Sequence, residues 1–471
     1  MGDCPDRRKF LRAALAGMII ATMSWALACG DTRTKRPNFV LILADDLGYG
    51  DIGCFGNSSN RTPNLDRLAS QGMRFTDFHS NGPMCSPTRA ALLTGRYQQR
   101  MGIETALGKN QKGLIREEVT IAERLRSAGY TTAIFGKWHL GDRVEDNPTY
   151  QGFEEFRGHT YGDSDYISHV DRHGDPDWWH NREMANEQGY NTTLLTDHAV
   201  RFIAENKDRP FFLYVAHSAI HFPWMTPEDP GHRELGTDYS SWHADTPLAA
   251  SKLGPHKNVG PVVKRMIEEL DRSVGRIVAA LQTHGLDTNT LVFFVSDNGG
   301  YLHYSGLHRG EISSNGALRG QKGDVFEGGH RVPAIAWWPG RIEPGLVTHQ
   351  TAMTMDLMPT YLNLAGLEVA PAGSPHTLDG TSLTELLLRT RPLPERTVFW
   401  RMRGRRAARS GRWKLVCLDE NSPMLFDLNN DLEEKKDLSI ERPELARSLL
   451  EAYRRWETEV SRQGAESRGR Q

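Results

Sequence analysis

Hydrophobic residues in this chain come mostly in short unbroken runs, and each run stops at a group of ionisable side chains. Phe39-Val40-Leu41-Ile42-Leu43-Ala44 is followed at once by Asp45-Asp46. Thr131-Thr132-Ala133-Ile134-Phe135 leads into Gly136-Lys137-Trp138-His139. Phe211 to Ala216 precedes His217 and His221, and Leu291 to Val295 precedes Ser296-Asp297-Asn298-Gly299-Gly300. Continuous apolar runs of this length suit strands buried on both faces of a sheet. In open sheets the ligand lies beyond the carboxyl ends of the strands, so these polar endings predict one shared site.

Between the runs the period becomes helical. Thr62 and Pro63 read as cap and first residue of a helix closed by Gly72. Glu117 to Ala128 predicts another, stopped by Gly129. Val262, Met266, Leu270, Val274, Ile277 and Leu281 line one helical face before Gly285. This alternation predicts an α/β domain over residues 37–370, a large doubly wound mixed sheet flanked by helices. The texture changes after the Pro-, Gly- and Ser-rich span 369–376. Thr397–Trp400 and Trp413–Leu418 then predict a small antiparallel sheet over 377–460, packed by an amphipathic helix from Pro443 to Val460, with a loose tail at 461–471.

Composition narrows the function. The 471 residues are 38% hydrophobic and 25% charged, a globular balance. Lys plus Arg number 57 against 59 Asp plus Glu, a net charge of -2. No broad field draws nucleic acid or an anionic membrane, so any bound anion must be met by a local cluster of cations. The N-terminus is separate in character. Arg7-Arg8-Lys9-Phe10-Leu11-Arg12 precedes an apolar run from Ala13 to Ala28, the order of an export signal over residues 1–28. The run is short for a membrane span, which needs about 20 apolar residues. Arg-Arg-x-Phe-Leu resembles a twin-arginine signal, which predicts a periplasmic or cell-envelope protein. Cys29 stands where a lipoprotein's acylated cysteine would stand; cleavage after Ala28 without a lipid anchor is the alternative. The five cysteines (4, 29, 54, 85 and 417) contain no Cys-x-x-Cys pair and make neither a disulfide framework nor a zinc site.

Cys85 belongs to the most informative stretch, Met84-Cys85-Ser86-Pro87-Thr88-Arg89-Ala90-Ala91-Leu92-Leu93-Thr94-Gly95. Pro87 suits a first helical turn, Ser86 a cap and Gly95 a stop. Cys85 then sits just ahead of a helix N-terminus, where free N–H groups and the dipole favour an anion. Arg89 lies one turn along and can fork onto two oxygens of a tetrahedral oxyanion. On physics alone this is a nucleophile beside an oxyanion site, with a dipole-activated thiol as the first choice.

Cys-x-Pro-x-Arg followed by Ala-Ala-Leu-Leu-Thr-Gly-Arg resembles the signature of the type I sulfatases, the arylsulfatase family within the alkaline phosphatase superfamily. Asn38 to Asp51, Gly136 to Gly141, Ser296 to Gly300, Leu318 to Lys322, Glu327 to Pro333 and Gly411 to Leu415 resemble it in the same order. The resemblance implies an alkaline-phosphatase-like fold and hydrolysis of a sulfate monoester of a carbohydrate or aryl alcohol. It implies that Cys85 is oxidised to formylglycine by a separate generating enzyme and acts as its hydrate. Asp45, Asp46, Asp297 and Asn298 resemble the ligands of one Ca2+, with converted Cys85 adding a hydroxyl. Hard oxygen donors suit such a cation. The family's mechanism then has a metal-activated hydroxyl attack sulfur, and the second hydroxyl expels sulfate. Arg89, Lys137 and Lys322 resemble the cations holding hydrate and sulfate, His139 the base for elimination, and His221 the group facing the leaving oxygen.

One departure stands out. Several family members place a serine against a sulfate oxygen where this chain has Gly162, with Ser164 nearby. His217, His303, His308 and His330 are secondary candidates to line the pocket. The segments 161–190, with Trp178-Trp179, and 226–256, with Tyr239 and Trp242, are candidates for its rim. Two rival readings remain: a phosphoesterase of the same superfamily, and a non-catalytic protein that binds sulfated glycans.

Overall fold

The apolar runs form strands with both faces covered. In β1 (Asn38–Ala44), Val40, Ile42 and Ala44 join one hydrophobic cluster while Phe39, Leu41 and Leu43 join another, all fully buried. Each such side chain contributes about 1.5–3 kcal/mol relative to exposure. The computed structural model describes Met1 and residues 36–240, 252–369, 377–419 and 422–469. The expected export signal with Cys4 and Cys29, most of the 369–376 linker, and Trp242 lie outside the described residues. Pro37–Gln471 forms one compact unit.

The large sheet has 11 strands. With β1 it comprises β2 (Met73–His79), β3 (Thr131–Gly136), β4 (Glu155–Gly158), β5 (Trp179–His180), β6 (Glu183–Met184), β7 (Phe211–Ala216), β8 (Thr290–Ser296), β9 (Arg331–Trp337), β10 (Leu346–Thr348) and β11 (Ala352–Met353). The order is β10-β2-β9-β8-β1-β7-β3-β4-β5-β6, with β11 also on β2. Strands β8, β1, β7 and β3 are mutually parallel, whereas β9 runs antiparallel to both β8 and β2, so the sheet is mixed. Helices α1 (Pro63–Ser70), α2 (Cys85–Thr94), α3 (Ile121–Ser127), α4 (Asn191–Glu205), α5 (Gly260–Thr283) and α6 (Leu357–Leu364) flank it. The apolar stripes of α1, α4 and α5 cover one face, and those of α2, α3 and α6 the other.

A second sheet, β12 (Thr397–Met402), β13 (Arg405–Ser410), β14 (Trp413–Cys417) and β15 (Pro423–Asp427), is antiparallel throughout. Helix α7 (Pro443–Gly469) packs on it through Leu449, Tyr453, Trp456 and Val460.

Several local expectations are corrected. Helix α3 starts at Ile121 rather than Glu117, because Thr120 and Glu123 form a reciprocal capping box, with N···O distances of 2.8 and 3.2 Å. Thr62 is the N-cap residue of α1 and Pro63 its first residue, as expected, but the Thr62 side chain makes no capping bond: its hydroxyl accepts from Gly53, and Asp271 of α5 takes the N–H groups of Asn64 and Leu65. Ser86 is inside α2, not its cap: Cys85 is the first helical residue, and Ser86 Oγ accepts from Leu107 N. The terminal helix does not stop at Val460. It continues to Gly469, because Gln463 accepts from Arg100 at 2.6 Å and Ser467 donates to Arg100 O at 3.0 Å. Residues 461–469 are therefore not a loose tail.

Candidate active site

Four neighbouring parallel strands deliver their ends to one place. Asp45-Asp46 follow β1, Lys137 to His139 follow β3, His217 to His221 follow β7 and Asp297-Asn298 follow β8. Helix α2 points its first turn at them. Cys85 Sγ lies 3.6 Å from Asp45 Oδ1 and accepts from Lys322 Nζ at 3.2 Å. Arg89 bridges the two outer carboxylates, donating to Asp45 Oδ2 at 3.2 Å and Asp297 Oδ2 at 3.0 Å, while its other terminal nitrogen holds Lys137 O at 2.7 Å. Lys137 Nζ reaches Asp45 Oδ2 at 2.6 Å, and Lys322 Nζ reaches Asp46 Oδ1 at 2.5 Å. Asn298 Nδ2 donates to the same Asp46 oxygen at 2.8 Å. His221 Nε2 stands 3.8 Å from Asp46 Oδ2. The sequence-selected cluster thus converges, all of it buried.

The backbone carries strain at this point. Asp46 and His139 adopt left-handed conformations, φ 61° and 53°, which non-glycine residues hold only when their surroundings enforce it. For His139 the enforcement includes its N–H on Thr160 O and Nε2 against Leu107 O at 3.1 Å. A carbonyl only accepts, so Nε2 carries the proton and Nδ1 is a bare acceptor, buried with no partner.

Charge is unevenly distributed. Burial would raise the Asp45 carboxyl, but the charges of Lys137, Arg89 and Lys322 hold it well below the usual range. Asp46 is pushed up to about 7 by burial, with Asp45 and Asp297 adding to the effect and Lys322 opposing it. The Cys85 thiol is pushed up to about 12 by burial and the Asp45 charge, against Lys137 and Lys322. This corrects the first expectation for Cys85: the helix dipole does not make it a ready thiolate. His139 and His221 are both driven well below the ordinary histidine range by burial and the nearby lysines.

The donors suit a hard cation. Asp45, Asp46, Cys85 and His221 present ligand atoms within 4.8 Å of one another. Beside them the amide oxygen of Asn298 is buried with no hydrogen-bond partner. An orphaned acceptor next to three carboxylates fits a Ca2+ ligand set.

Residues 37–367 match the family model described as Sulfatase. The chain belongs to the sulfatase family. It is 35% identical to arylsulfatase A of Bos taurus over 93% of this chain and 90% of the relative. It is 38% identical to N-acetylgalactosamine-6-sulfatase of Mus musculus, covering 85% and 75% respectively. Among solved structures it resembles Ps i-CgsB, crystallised with k-i-k-neocarrahexaose, with a TM-score of 0.78, 30% identity and coverage of 91% and 94%. The protein is accordingly a sulfuric ester hydrolase with the alkaline-phosphatase-like fold.

The secondary candidates divide. His217 does not line the sulfatase pocket: it is fully buried, with Nε2 3.0 Å from Ser273 Oγ of α5. His330 is likewise remote, stacked on Trp400 beneath the small sheet and 3.1 Å from Lys414 Nζ. Trp178 and Trp179 are buried, their N–H groups bound to Glu187 and Asp177, so they pack the loop and do not form a stacking platform. Gly162 is required where it stands. A Cβ there would lie 2.7 Å from His139 Nε2, so a serine at 162 would displace the histidine. Ser164 Oγ is buried without a partner.

Sequence reasoning missed His159, which follows β4 and meets Ser218 Oγ at 2.7 Å, tying the β4 end to the loop of His221. Its position after a strand was the available signal, but β4 is only four residues long. It also missed Arg172 and Asp163, since nothing in their spacing reveals how their loop folds back. Among the described residues, no helix is long and apolar enough to cross a membrane.

Proposed function

We propose that this sulfatase hydrolyses a sulfate monoester of a sulfated carbohydrate or aryl alcohol, using Cys85 converted to formylglycine and one Ca2+ held by Asp45, Asp46, Asp297 and Asn298. The observation that carries the reading is the meeting of Cys85 with Asp45 and Lys322 at the first turn of α2, in a setting that keeps a plain thiol protonated. Conversion would supply a geminal hydroxyl in place of that thiol, and the bound cation would favour its ionised form and polarise the sulfate.

The chain's own residues supply the rest. Arg89, Lys137 and Lys322 surround the position that sulfate oxygens would occupy, and as buried cations they need no reorganisation as charge builds there. His139 offers a bare Nδ1 that can take a proton from residue 85. His221 faces the leaving oxygen. Its Nδ1 is 2.7 Å from Phe222 O, which assigns the Nδ1–H tautomer and leaves Nε2 to accept and then return a proton. Burial, with Lys322 and Lys137, holds His221 neutral at rest; the negative charge of an arriving sulfate ester would offset both lysines and raise its proton affinity, so that Nε2 takes a proton from solvent on binding and gives it to the departing alkoxide. The twin-arginine-like signal supports action outside the cytoplasm, after a formylglycine-generating enzyme has acted on residue 85.

Peptide mass spectrometry across Met84–Arg89 of protein from its native host tests the conversion, since aldehyde and thiol differ in mass. Only thiol there sinks the mechanism. Cys85→Ala is expected to lower kcat by at least about 10³-fold, the scale of losing a covalent nucleophile, with circular dichroism unchanged. Turnover of an aryl sulfate near the wild-type rate would refute the nucleophile.

A further inference from the structure

Arg172 stands beside the site with a partly exposed side chain, unlike the fully buried Arg89 and Lys137. Its guanidinium packs 5.7 Å from the Tyr161 ring centre and 5.4 Å from that of Phe222. Those two rings adjoin the catalytic histidines: Tyr161 lies 6.2 Å from the ring of His139, and Phe222 lies 4.3 Å from that of His221. Arg172 therefore touches both the ring beside the proposed base and the ring beside the group proposed at the leaving oxygen.

Its orientation is fixed from behind. Nε and Nη2 both bind Asp163 Oδ1, while the other Asp163 oxygen accepts from Arg233 at 2.6 Å. Asp163 is buried, and the charges of Arg172 and Arg233 hold its carboxyl far below the usual range despite that burial. One carboxylate thus serves two guanidinium groups. Nη1 of Arg172 has no protein partner among the described residues, and the side chain retains 22% of its exposure. Lys109 offers a contrast: it lies 5.4 Å over the same Tyr161 ring, but Asp171 and Asp175 pair with it.

We propose that Arg172 is a specificity-determining residue that binds a second anionic group, a sulfate or a carboxylate, on the sugar that leaves with the alcohol oxygen. The inference rests on the sulfatase reading and narrows its substrate class to polyanionic glycans. A pre-oriented guanidinium with an open edge, clamped by a buried carboxylate and flanked by aromatic faces, suits a tetrahedral or planar oxyanion on a sugar ring.

The test compares wild type, Arg172→Gln and Arg172→Lys, all carrying the oxidised residue 85. The substrates are a neutral sugar monosulfate, the same sugar with a second sulfate, and the monosulfate linked to a uronate. The readout is the ratio of kcat/KM for each dianionic ester to that for the monosulfate of the neutral sugar. In Arg172→Gln this ratio is expected to fall about tenfold or more, mainly through KM, as for loss of a hydrogen bond to a charged group. Arg172→Lys should fall between. The dianionic ester whose ratio collapses identifies sulfate or carboxylate as the partner. Asp163 keeps Arg233 in both variants, and thermal unfolding checks that they fold. An unchanged ratio for both dianionic esters overturns the subsite and leaves the sulfatase reading intact. Wild-type protein inert on every sulfate ester overturns that reading and the subsite together.

Discussion

At the scale of single residues, the buried histidines separate structural from reactive positions. His217 is fully buried and bonded to Ser273, and burial alone pushes it down to about 3. Its folded value is depressed below the unfolded one, near 6.5. The stability it contributes is therefore complete above about pH 6.5 and is lost as pH falls toward 3. His217→Gln can place its side-chain amide near the Nε2 position, within reach of Ser273 Oγ, but cannot titrate. The decline in Tm between pH 7 and pH 4.5 should be shallower in this variant than in wild type, and parallel curves would refute the assignment. The same scale explains what the sequence reveals. Asp45, Asp46, Lys137, His139, His221, Asp297 and Asn298 each follow a buried apolar run, so their shared location follows from strand direction. Arg172 and Asp163 sit in a long connection with no period, and their pairing exists only once that loop has folded over Phe222.

Among elements, the small sheet does more than cover a surface. Lys414 of β14 enters the large domain and pairs with Glu327 Oε1 at 2.9 Å and Glu434 Oε1 at 3.0 Å, all three fully buried. Glu434 also accepts from Glu327 N at 2.7 Å and, through its carbonyl, from Arg319. The loop between these contacts carries Lys322. Arg409 of β13 reaches further, gripping both Asp77 oxygens of β2 at 2.7 and 2.8 Å. This explains why β13 was not legible: its sequence Arg-Arg-Ala-Ala-Arg-Ser looks solvent-facing, yet Arg409 is an interface residue. Strands β12 and β14, with bulky apolar residues, were legible for the opposite reason. Lys414→Met leaves two buried carboxylates without this partner, so it should destabilise the fold by about 3–5 kcal/mol, read as a lower urea midpoint. A change below about 1 kcal/mol, the range of surface pairs, would show that the network is not stabilising.

Across the whole molecule, the site is an outcome of folding rather than of any segment. Its proposed cation ligands come from the ends of β1 and β8, more than 250 positions apart, and are aligned because Ala44 and Ser296 are register partners in adjacent parallel strands. Three buried carboxylates in this space repel one another, and Asp46 is pushed up to about 7 by burial and its two acidic neighbours. A divalent cation would relieve that repulsion in the folded chain alone, because unfolding scatters the ligands. Binding to the native state alone stabilises by RT ln(1 + [L]/Kd), about 2.7 kcal/mol at 100-fold excess over Kd. For a protein of this size such a gain raises Tm by a few degrees at most. Thermal unfolding of chelator-stripped enzyme should therefore shift upward with added Ca2+ and saturate. Asp297→Ala should abolish the shift, even though it removes one of the repelling charges and could itself raise the baseline. That opposition separates ligation from simple charge relief: if Asp297→Ala still responds to Ca2+ as wild type does, the cation binds elsewhere and the proposed ligand set is wrong.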